Sequence, residues 1–357
     1  MMEWWQKLAA HFPQPGDAAL ITAAPDRRLL SGFPADDAVV VVTAEAACFL
    51  TDSRYDEAAS RAITSMPVAR YRRLGESLHD WLREHGARRL FVQTEEMSVA
   101  AFDRLRGELK GIEVLDTPSL DEWLRDLRAI KTPEQIAVMR RAQALTEEGF
   151  RYILPRIKVG RTEREVALDL EFAIREAGAE GVAFDFIVVA GENGSLPHGV
   201  PGDRVIQRGD LVTMDFGARV DGWHSDMTRT VAVERAADWQ REIYDVVLIA
   251  QQACLDTLRA GLTGAEGDAA ARRVIEDAGY GEFFGHGTGH GVGLQIHEAP
   301  TMSPRATTHR FRKGEVVTVE PGIYLPGRGG VRIEDMVVIT EDGCENLTRA
   351  EKKLLIL

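Results

Sequence analysis

Two stretches of the sequence follow one pattern: RGDLVTMDFG at residues 208–217 and KGEVVTVEPG at residues 313–322. Each begins with a cation, a glycine and an acid, and continues through two aliphatic residues, a threonine and another apolar residue. Each then reaches a carboxylate, with a glycine two places later. The β-branched and apolar composition is typical of a strand. The pattern predicts two equivalent strands that carry Asp215 and Glu320 at matching points near their ends.

The repetition extends upstream of both strands. GRTEREVALDLEFAIREAG at residues 160–178 and GLTGAEGDAAARRVIEDAG at residues 261–279 have the same spacing between their flanking glycines. A threonine near the start and a glycine just past the end predict a capped helix in each. The sequence therefore predicts a tandem duplication in which each half is a helical segment followed by strands.

The carboxylates of the two halves are predicted to converge. A hairpin turn at residues 221–222 would bring Asp226 alongside Asp215, and the internal symmetry relates Asp226 to Glu334, which follows the glycine-rich turn at residues 327–330. Burying an ion is costly unless it is paired or holds a metal. Four close carboxylates either share protons or bind cations, and two divalent ions bridged by carboxylates are the commoner solution in hydrolases.

The segment FGHGTGHGVGLQIHE at residues 284–298 supplies candidate histidines. Its five glycines argue against a plain helix, so His286 and His290 are not expected to form a helical zinc motif. A phosphate-binding loop would need a helix N-terminus and a nearby cation, so a metal ligand is the favoured interpretation. His198 and His297 follow the two repeated helices at similar distances, so each half is expected to deliver one histidine to the site.

Composition limits the classes of partner and compartment. The 357 residues carry a formal net charge of −13, which argues against non-specific binding to nucleic acid. Three scattered cysteines, the absence of a secretory pattern at the N-terminus and the absence of a long apolar run predict a cytoplasmic protein without a membrane partner.

The N-terminal part of the sequence alternates apolar runs with helical spacing. Thr132 and Pro133 begin a further helix, which marks the domain boundary. We therefore predict an α/β domain over residues 1–128 and the duplicated domain over residues 129–357. The expected strands of the first domain are residues 38–43, 47–51 and 89–93, and its expected helices are residues 55–63, 74–84 and 100–109.

These motifs resemble the metallopeptidases of the "pita-bread" fold (M24 type), and more narrowly the Xaa-Pro peptidases, aminopeptidase P and prolidase. The resemblance rests on MDFGARVDGWHSDMTRT, GHGTGHGVGLQIHEAP, TVEPGIY and GGVRIED, while LLSGF and LTDSRY resemble the creatinase-like domain of these enzymes. It implies an α+β protein, in which an α/β creatinase-like domain precedes a pita-bread domain with a pseudo-twofold duplication.

The resemblance also implies roles for individual residues. His198 and His297 match histidines that face the substrate. The chemistry of the resulting site then makes Glu320 the expected carboxylate for proton transfer. His286, Tyr324 and Arg332 match positions beside the substrate or behind the ligands. The implied ligands of two divalent metal ions are Asp215, Asp226, His290, Glu320 and Glu334.

The implied cofactor is Mn(II), with Co(II), Zn(II) and Fe(II) as alternatives, because carboxylates with one imidazole suit these ions. The implied partners are proline-containing peptides and a second copy of the chain in a homodimer.

The resemblance leaves the substrate length open. After His297 the sequence has no basic residue before Arg305, which favours an Xaa-Pro aminopeptidase, because a dipeptidase needs a cation for the substrate carboxylate. Arg332 or a residue of another subunit could supply that cation, so an Xaa-Pro dipeptidase is the alternative.

Three other relatives fit the sequence less well. A methionine aminopeptidase would not need the preceding domain. A binding protein built on an inactive pita-bread fold would have lost metal ligands, and creatinase, which uses no metal, would lack the four carboxylates.

Overall fold

The computed structural model describes residues 2–357, which divide between Arg128 and Ala129 into two compact units. The first unit is built on a mixed sheet with the strand order β4-β3-β2-β1-β5-β6. The elements of this unit are α1 (Trp4–Ala9), β1 (Asp17–Ile21), α2 (Ala24–Ser31), β2 (Ala38–Thr43), β3 (Ala47–Thr51), α3 (Asp56–Ala62), β4 (Val68–Arg70), α4 (Leu74–Glu84), β5 (Arg89–Val92), α5 (Val99–Glu108), β6 (Glu113–Leu115) and α6 (Ser119–Ala129).

Strand β2 shows why this sheet forms. Val40 and Val42 pack into one hydrophobic core, whereas Val39 and Val41 pack into another, because successive side chains of a strand point to opposite faces. The continuous apolar run is therefore the mark of a strand that is buried on both faces. The predicted strands and helices of this unit are confirmed to within one or two residues.

Paired helices open each half of the second unit. In the first half α7 packs on α8, and in the second half α9 packs on α10. Sequence analysis did not predict α9, although Ile243, Val247 and Cys254 form a buried stripe along it. The helices are α7 (Pro133–Ile153), α8 (Glu163–Glu176), α9 (Asp238–Thr257) and α10 (Gly264–Asp277), with short 3₁₀ helices at Leu154–Arg156, Gly191–Ser195 and Gly281–Phe283.

The strands of the second unit carry the repeated motifs. In the first half the order is β12-β9-β8, and in the second it is β14-β13-β15-β18-β19. The strands are β7 (Gly181–Val182), β8 (Ile187–Ala190), β9 (Leu211–Phe216), β10 (Ala218–Val220), β11 (Trp223–His224), β12 (Met227–Ala232), β13 (Gly289–Gly291), β14 (Glu298–Met302), β15 (Val316–Val319), β16 (Gly322–Leu325), β17 (Gly329–Arg332), β18 (Asp335–Ile339) and β19 (Cys344–Asn346).

Strand register positions the carboxylates. β12 runs antiparallel to β9 with Thr228 opposite Asp215, and Asp226 immediately precedes β12. β18 runs antiparallel to β15 in the same way, so Glu320 follows one strand and Glu334 precedes the other. The predicted hairpin and its symmetric counterpart therefore both form. Within residues 2–357, no helix is long and apolar enough to cross a membrane.

Candidate active site

A cavity of about 690 Å³ opens in the second unit, and its lining comes from both halves. Tyr324, Arg332 and Glu334 lie behind this lining. The other seven predicted site residues line the cavity: His198, Asp215, Asp226, His286, His290, His297 and Glu320.

The carboxylates surround His290 at one side of the cavity. One ligand atom from each of Asp226, His290 and Glu334 lies within 4.8 Å of the other two. The Nε2 atom of His290 is 3.3 Å from Glu320 Oε1 and 3.6 Å from Asp226 Oδ2. Burial, followed by the charges of the neighbouring acids, raises the pKa of Asp226 and of Glu334 well above the ordinary values. Burial also raises the pKa of Glu320 to about 7.

Threonines of the strands orient two of these acids. Thr228 Oγ1 donates a hydrogen bond to Glu334 Oε2 over 2.7 Å, across the boundary between the halves. Thr318 Oγ1 donates to Glu320 Oε1 over 3.1 Å and accepts a bond from the backbone N–H of His290 over 3.0 Å. Glu320 is therefore held by a strand of its own half, and Glu334 by a strand of the other half.

Arg332 connects the acids to a buried hydrogen-bond chain. Its Nη2 donates to Asp215 Oδ2 over 2.7 Å, and its Nη1 donates to the Tyr324 hydroxyl over 2.9 Å. Its Nε donates to Thr228 Oγ1 and its Nη1 also reaches the carbonyl oxygen of Pro197. Each nitrogen of this buried guanidinium thus has a partner within the protein.

The hydrogen-bond chain ends at His286. Its Nδ1 lies 2.8 Å from the carbonyl oxygen of Gly287, and its Nε2 lies 2.8 Å from the Tyr324 hydroxyl. Burial lowers the pKa of His286 to about 4, so the imidazole is neutral at pH 7. Since a carbonyl can only accept, Nδ1 carries the proton and the hydroxyl of Tyr324 donates to Nε2.

Each half fixes its histidine loop with a buried carboxylate that sequence analysis missed. In the first half, Glu163 accepts bonds from the backbone N–H groups of Ala190 and Gly202, at 2.7 and 3.1 Å. These bonds bracket the loop that contains His198. The only feature of the sequence that could have indicated this role is that Glu163 is the first residue of a capped, amphipathic helix.

In the second half, Asp268 has the corresponding task. It accepts bonds from the N–H and hydroxyl groups of Thr288, at 3.0 and 2.8 Å, and pairs with Arg272 at 2.7 Å. Arg272 in turn donates to the carbonyl oxygen of His286 over 2.6 Å. The glycine-rich loop before His290 is therefore tied to α10.

Comparison with known proteins places this architecture in a family. Residues 137–341 match the family "Metallopeptidase family M24", and residues 13–130 match the "Creatinase/Prolidase N-terminal domain". The chain belongs to metallopeptidase family M24. The predicted family resemblance and the predicted α+β fold class are confirmed, and the protein is a metallo-exopeptidase.

Named M24 relatives cover almost the whole chain. An Xaa-Pro dipeptidase of Pyrococcus furiosus is 37% identical over 320 residues, which are 89% of this chain and 88% of the relative. The structure of an Xaa-Pro dipeptidase from Bacillus anthracis matches with a TM-score of 0.95 and 39% identity, covering 99% of both chains. That of an X-Pro aminopeptidase from Thermotoga maritima has a TM-score of 0.91 and 34% identity, covering 96% of this chain and 97% of the other.

Membership of the M24 family implies divalent metal ions, and the cluster of acids fits them. The Oδ1 atoms of Asp215 and Asp226 are buried without a hydrogen-bond partner in the protein. A buried carboxylate oxygen without a donor calls for a cation. The residues that could hold metal are the clustered acids and His290.

Part of the lining of this M24 cavity is apolar, and this apolar wall was not located from the sequence. Phe184, Phe186 and Ile187 approach from the segment before β9, and Ile296 approaches from the second half. The rings of Phe184 and Phe186 pack edge to face, with centroids 6.4 Å apart. A peptide in the cavity would therefore meet apolar side chains as well as acids and imidazoles.

Proposed function

We propose that this M24 peptidase is an Xaa-Pro dipeptidase, which hydrolyses the bond between an N-terminal residue and a C-terminal proline. The observation that carries the proposal is the full-length similarity to the Xaa-Pro dipeptidase from Bacillus anthracis. Sequence analysis ranked an Xaa-Pro aminopeptidase first and the dipeptidase second, and the relatives support the dipeptidase better.

We assign two divalent metal ions to the acids and to His290, with Mn(II) as the first choice, because oxygen donors with one imidazole suit this ion. Bound there, the ions would supply Lewis acidity and an activated water for attack on the peptide carbonyl. The proposed ligands are Asp215, Asp226, His290, Glu320 and Glu334.

Proton transfer is assigned to Glu320, whose carboxylate lies in the cavity lining. The leaving nitrogen of proline must gain a proton before it departs, and a carboxyl group in the cavity can deliver one. His198 and His297 are assigned to the substrate carbonyl, where an imidazole N–H would donate a bond to the oxygen as it gains negative charge. The apolar wall would receive the side chain or the proline ring.

The second candidate is an Xaa-Pro aminopeptidase, and one observation favours it. In the described part of the chain, residues 2–357, no Lys or Arg lines the cavity. Arg332, the cation considered from the sequence, is directed at Asp215, Tyr324 and Thr228 instead. A dipeptide carboxylate would have imidazoles and the hydroxyl groups of Thr301 and Ser303 as partners in this subunit, but no Lys or Arg, whereas a longer peptide would not need a cation there.

The deciding experiment compares substrate lengths with the Mn(II)-loaded protein. We expect kcat/KM for Leu-Pro to exceed that for Leu-Pro-Gly by about 10-fold or more. Leu-Pro amide, which lacks only the carboxylate charge, is the matched control and is expected to be hydrolysed as slowly as the tripeptide.

Two other outcomes are informative. Preference for the tripeptide and the amide would establish the aminopeptidase instead. No hydrolysis of any of these substrates by metal-loaded protein would overturn both candidates. Light scattering of the same sample tests the homodimer, which stays a prediction from the resemblance.

A further inference from the structure

Glu298, the residue after His297, forms a buried ion pair with Lys131. Lys131 Nζ is 2.7 Å from Glu298 Oε1, and the two side chains are 0% and 2% exposed. Lys131 Nζ also donates to the carbonyl oxygen of Ala129 over 3.2 Å. Removing two charges from water is costly, and the best-attested use of such a pair is to fix one arrangement of the chain. The arrangement around Glu298 indicates what is fixed here.

The chain before Glu298 folds around its carboxylate. The backbone N–H of Gln295 donates to Glu298 Oε2 over 3.3 Å. A Cβ atom at Gly293 would lie 2.2 Å from Glu298 Oε1, so any larger residue at Gly293 would displace this carboxylate. The carbonyl oxygen of Gly293 in turn accepts a bond from the backbone N–H of His224 over 2.9 Å. His297 lies inside this turn.

The backbone of Lys131 is fixed from the other side. Its N–H donates to the carbonyl oxygen of Gly314 over 2.9 Å, and the preceding Ile130 forms a β-bridge with Glu315. Gly314 and Glu315 lead directly into β15, the strand that Glu320 follows. The ion pair therefore links the metal-binding strand of the second half to the segment that carries His297.

The imidazole of His297 makes few contacts that could fix its position. Among residues 2–357 no hydrogen bond fixes its imidazole, which packs edge to face on His290 with the ring centroids 4.3 Å apart. Glu298 points into the ion pair, and His297 points into the cavity.

We propose that Lys131 is a positioning residue, whose ion pair with Glu298 sets the place of the His297 imidazole beside the proposed metal ligands. The proposal rests on the proposed function only in giving His297 a substrate-facing role. Lys131 touches neither the substrate nor the metal, and it acts through the backbone of Glu298.

The first test measures turnover and metal content in Lys131→Met and Glu298→Gln. Met keeps much of the length of Lys without its charge, and Gln keeps the shape of Glu. Because a misplaced catalytic group costs up to ~100-fold, we expect kcat to fall about 10- to 100-fold in both variants, with a smaller change in KM. Metal content per chain is expected to match the wild type.

The second test separates positioning from general destabilisation. Leu170→Ala, in the buried face of α8, serves as a control that lowers thermal stability without a link to His297. We expect this control to keep the wild-type kcat. In a His297→Ala background, Lys131→Met is expected to cause little further loss, because its effect passes through the imidazole. A full additional loss there would overturn the proposal.

Histidine NMR provides a readout that does not depend on turnover. In protein loaded with Zn(II), the His297 ring signals are assigned by their loss in His297→Ala. Lys131→Met is expected to shift or broaden those signals while leaving His198 unchanged. Unchanged His297 signals would refute positioning, whichever peptide the enzyme cleaves. If no peptide is cleaved but the His297 signals respond, the proposed function fails and the positioning role stands.

Discussion

The two halves of the second unit share the same helix caps and strand geometry but differ in the side chains that support and complete the site. Thr162 caps α8 and Thr263 caps α10 through the same reciprocal bonds, since each threonine N–H reaches the glutamate three residues later over 2.8 Å. Asp210 and Glu315 occupy equivalent positions, and each accepts the backbone N–H of the residue three places earlier. Backbone and capping geometry are thus duplicated almost without change.

The side chains of the acid cluster are only partly duplicated. Asp215 and Asp226 of the first half correspond in position to Glu320 and Glu334 of the second, whereas His290 joins the cluster from the second half alone. Their supports differ as well, because Glu163 and the Asp268–Arg272 pair lie at different positions of their helices. The comparison teaches that the repeated strands and caps fix where the site lies, while residues unique to each half fix its chemistry.

Ion pairs also cross between the two halves, with the arginine in one half and the acid in the other. Arg332 of the second half pairs with Asp215 of the first at 2.7 Å, and Arg229 of the first half pairs with Asp335 of the second at 2.8 Å. Arg229 also donates to the carbonyl oxygens of Glu334 and Ala350. Each half therefore supports a site acid, or the backbone of one, that belongs to the other half.

The largest expected effect comes from removing one acid from each half. Asp226→Asn and Glu334→Gln should each lower kcat/KM by roughly 10³-fold or more and abolish metal binding, since each removes a proposed ligand. The fold should survive, because both changes remove a costly buried charge. Metal analysis and circular dichroism check this, and wild-type activity in either variant would remove that residue from the site.

The second largest effects are expected from Glu163 and Asp268, the buried acids that fix the histidine loops. Their variants should affect the two halves differently. Glu163→Gln and Asp268→Asn should each lower the free energy of unfolding by about 2–4 kcal/mol, because buried hydrogen bonds to a charge are lost. Asp268→Asn should also weaken metal binding through the His290 loop, whereas Glu163→Gln should reduce turnover with metal affinity unchanged. Denaturant unfolding and metal titration check this, and equal metal affinities would show that the supports are interchangeable.

The pH dependence of the metal-free protein tests the shared cluster. A carboxyl group whose pKa is raised on folding binds more protons in the folded state, so stability falls as pH rises towards the raised pKa. Burial raises the pKa of Asp226, Glu334 and Glu320. Burial lowers the pKa of four histidines from 6.5, which opposes this trend mainly below about pH 7: His224, His286, His290 and His297. Between pH 6.5 and 8 we expect Tm to fall by roughly 2–4 °C.

Calorimetry of metal-free protein checks this prediction. Added Mn(II) should restore more of the lost Tm at pH 8 than at pH 6.5, and Glu334→Gln should flatten the slope. A Tm that rises over this interval would contradict the assignment.

The smallest expected effect concerns the duplicated caps. Thr162→Ala and Thr263→Ala should each cost about 1 kcal/mol, the typical value for a lost N-cap, and should leave kcat unchanged. Denaturant midpoints check this. Clearly unequal costs would show that the helix caps are not equivalent in the two halves.

Local signals explain how much of this molecule could be predicted from its sequence. The strands after Gly209 and Gly314, the caps at Thr162 and Thr263 and the hairpin before Asp226 depend on residues a few positions apart. The metal and substrate roles came from the family resemblance, and the structure brings most of those side chains to one cavity.

The supports could not be predicted, because their partners are distant in the sequence. Lys131 and Glu298 are separated by 167 positions, and Glu163 and Gly202 by 39. A buried acid on a helix has the same local pattern as a solvated one, so only the folded chain distinguishes them. The sequence could not show for the same reason that Arg332 binds Asp215, Tyr324 and Thr228. From the sequence alone, Arg332 remained a candidate for binding the substrate carboxylate.

The ion pairs that cross between the two halves have a consequence for the ancestry of the fold. A half-length chain that corresponded to the first half would supply only part of the acid cluster and would lack Arg332, the cation that pairs with Asp215. Such a chain could complete the cluster only by pairing with a second copy across a twofold axis, so that each copy supports the other. Joining the copies into one gene would preserve that pairing and allow each half to acquire different side chains, as His290 and Arg229 now illustrate.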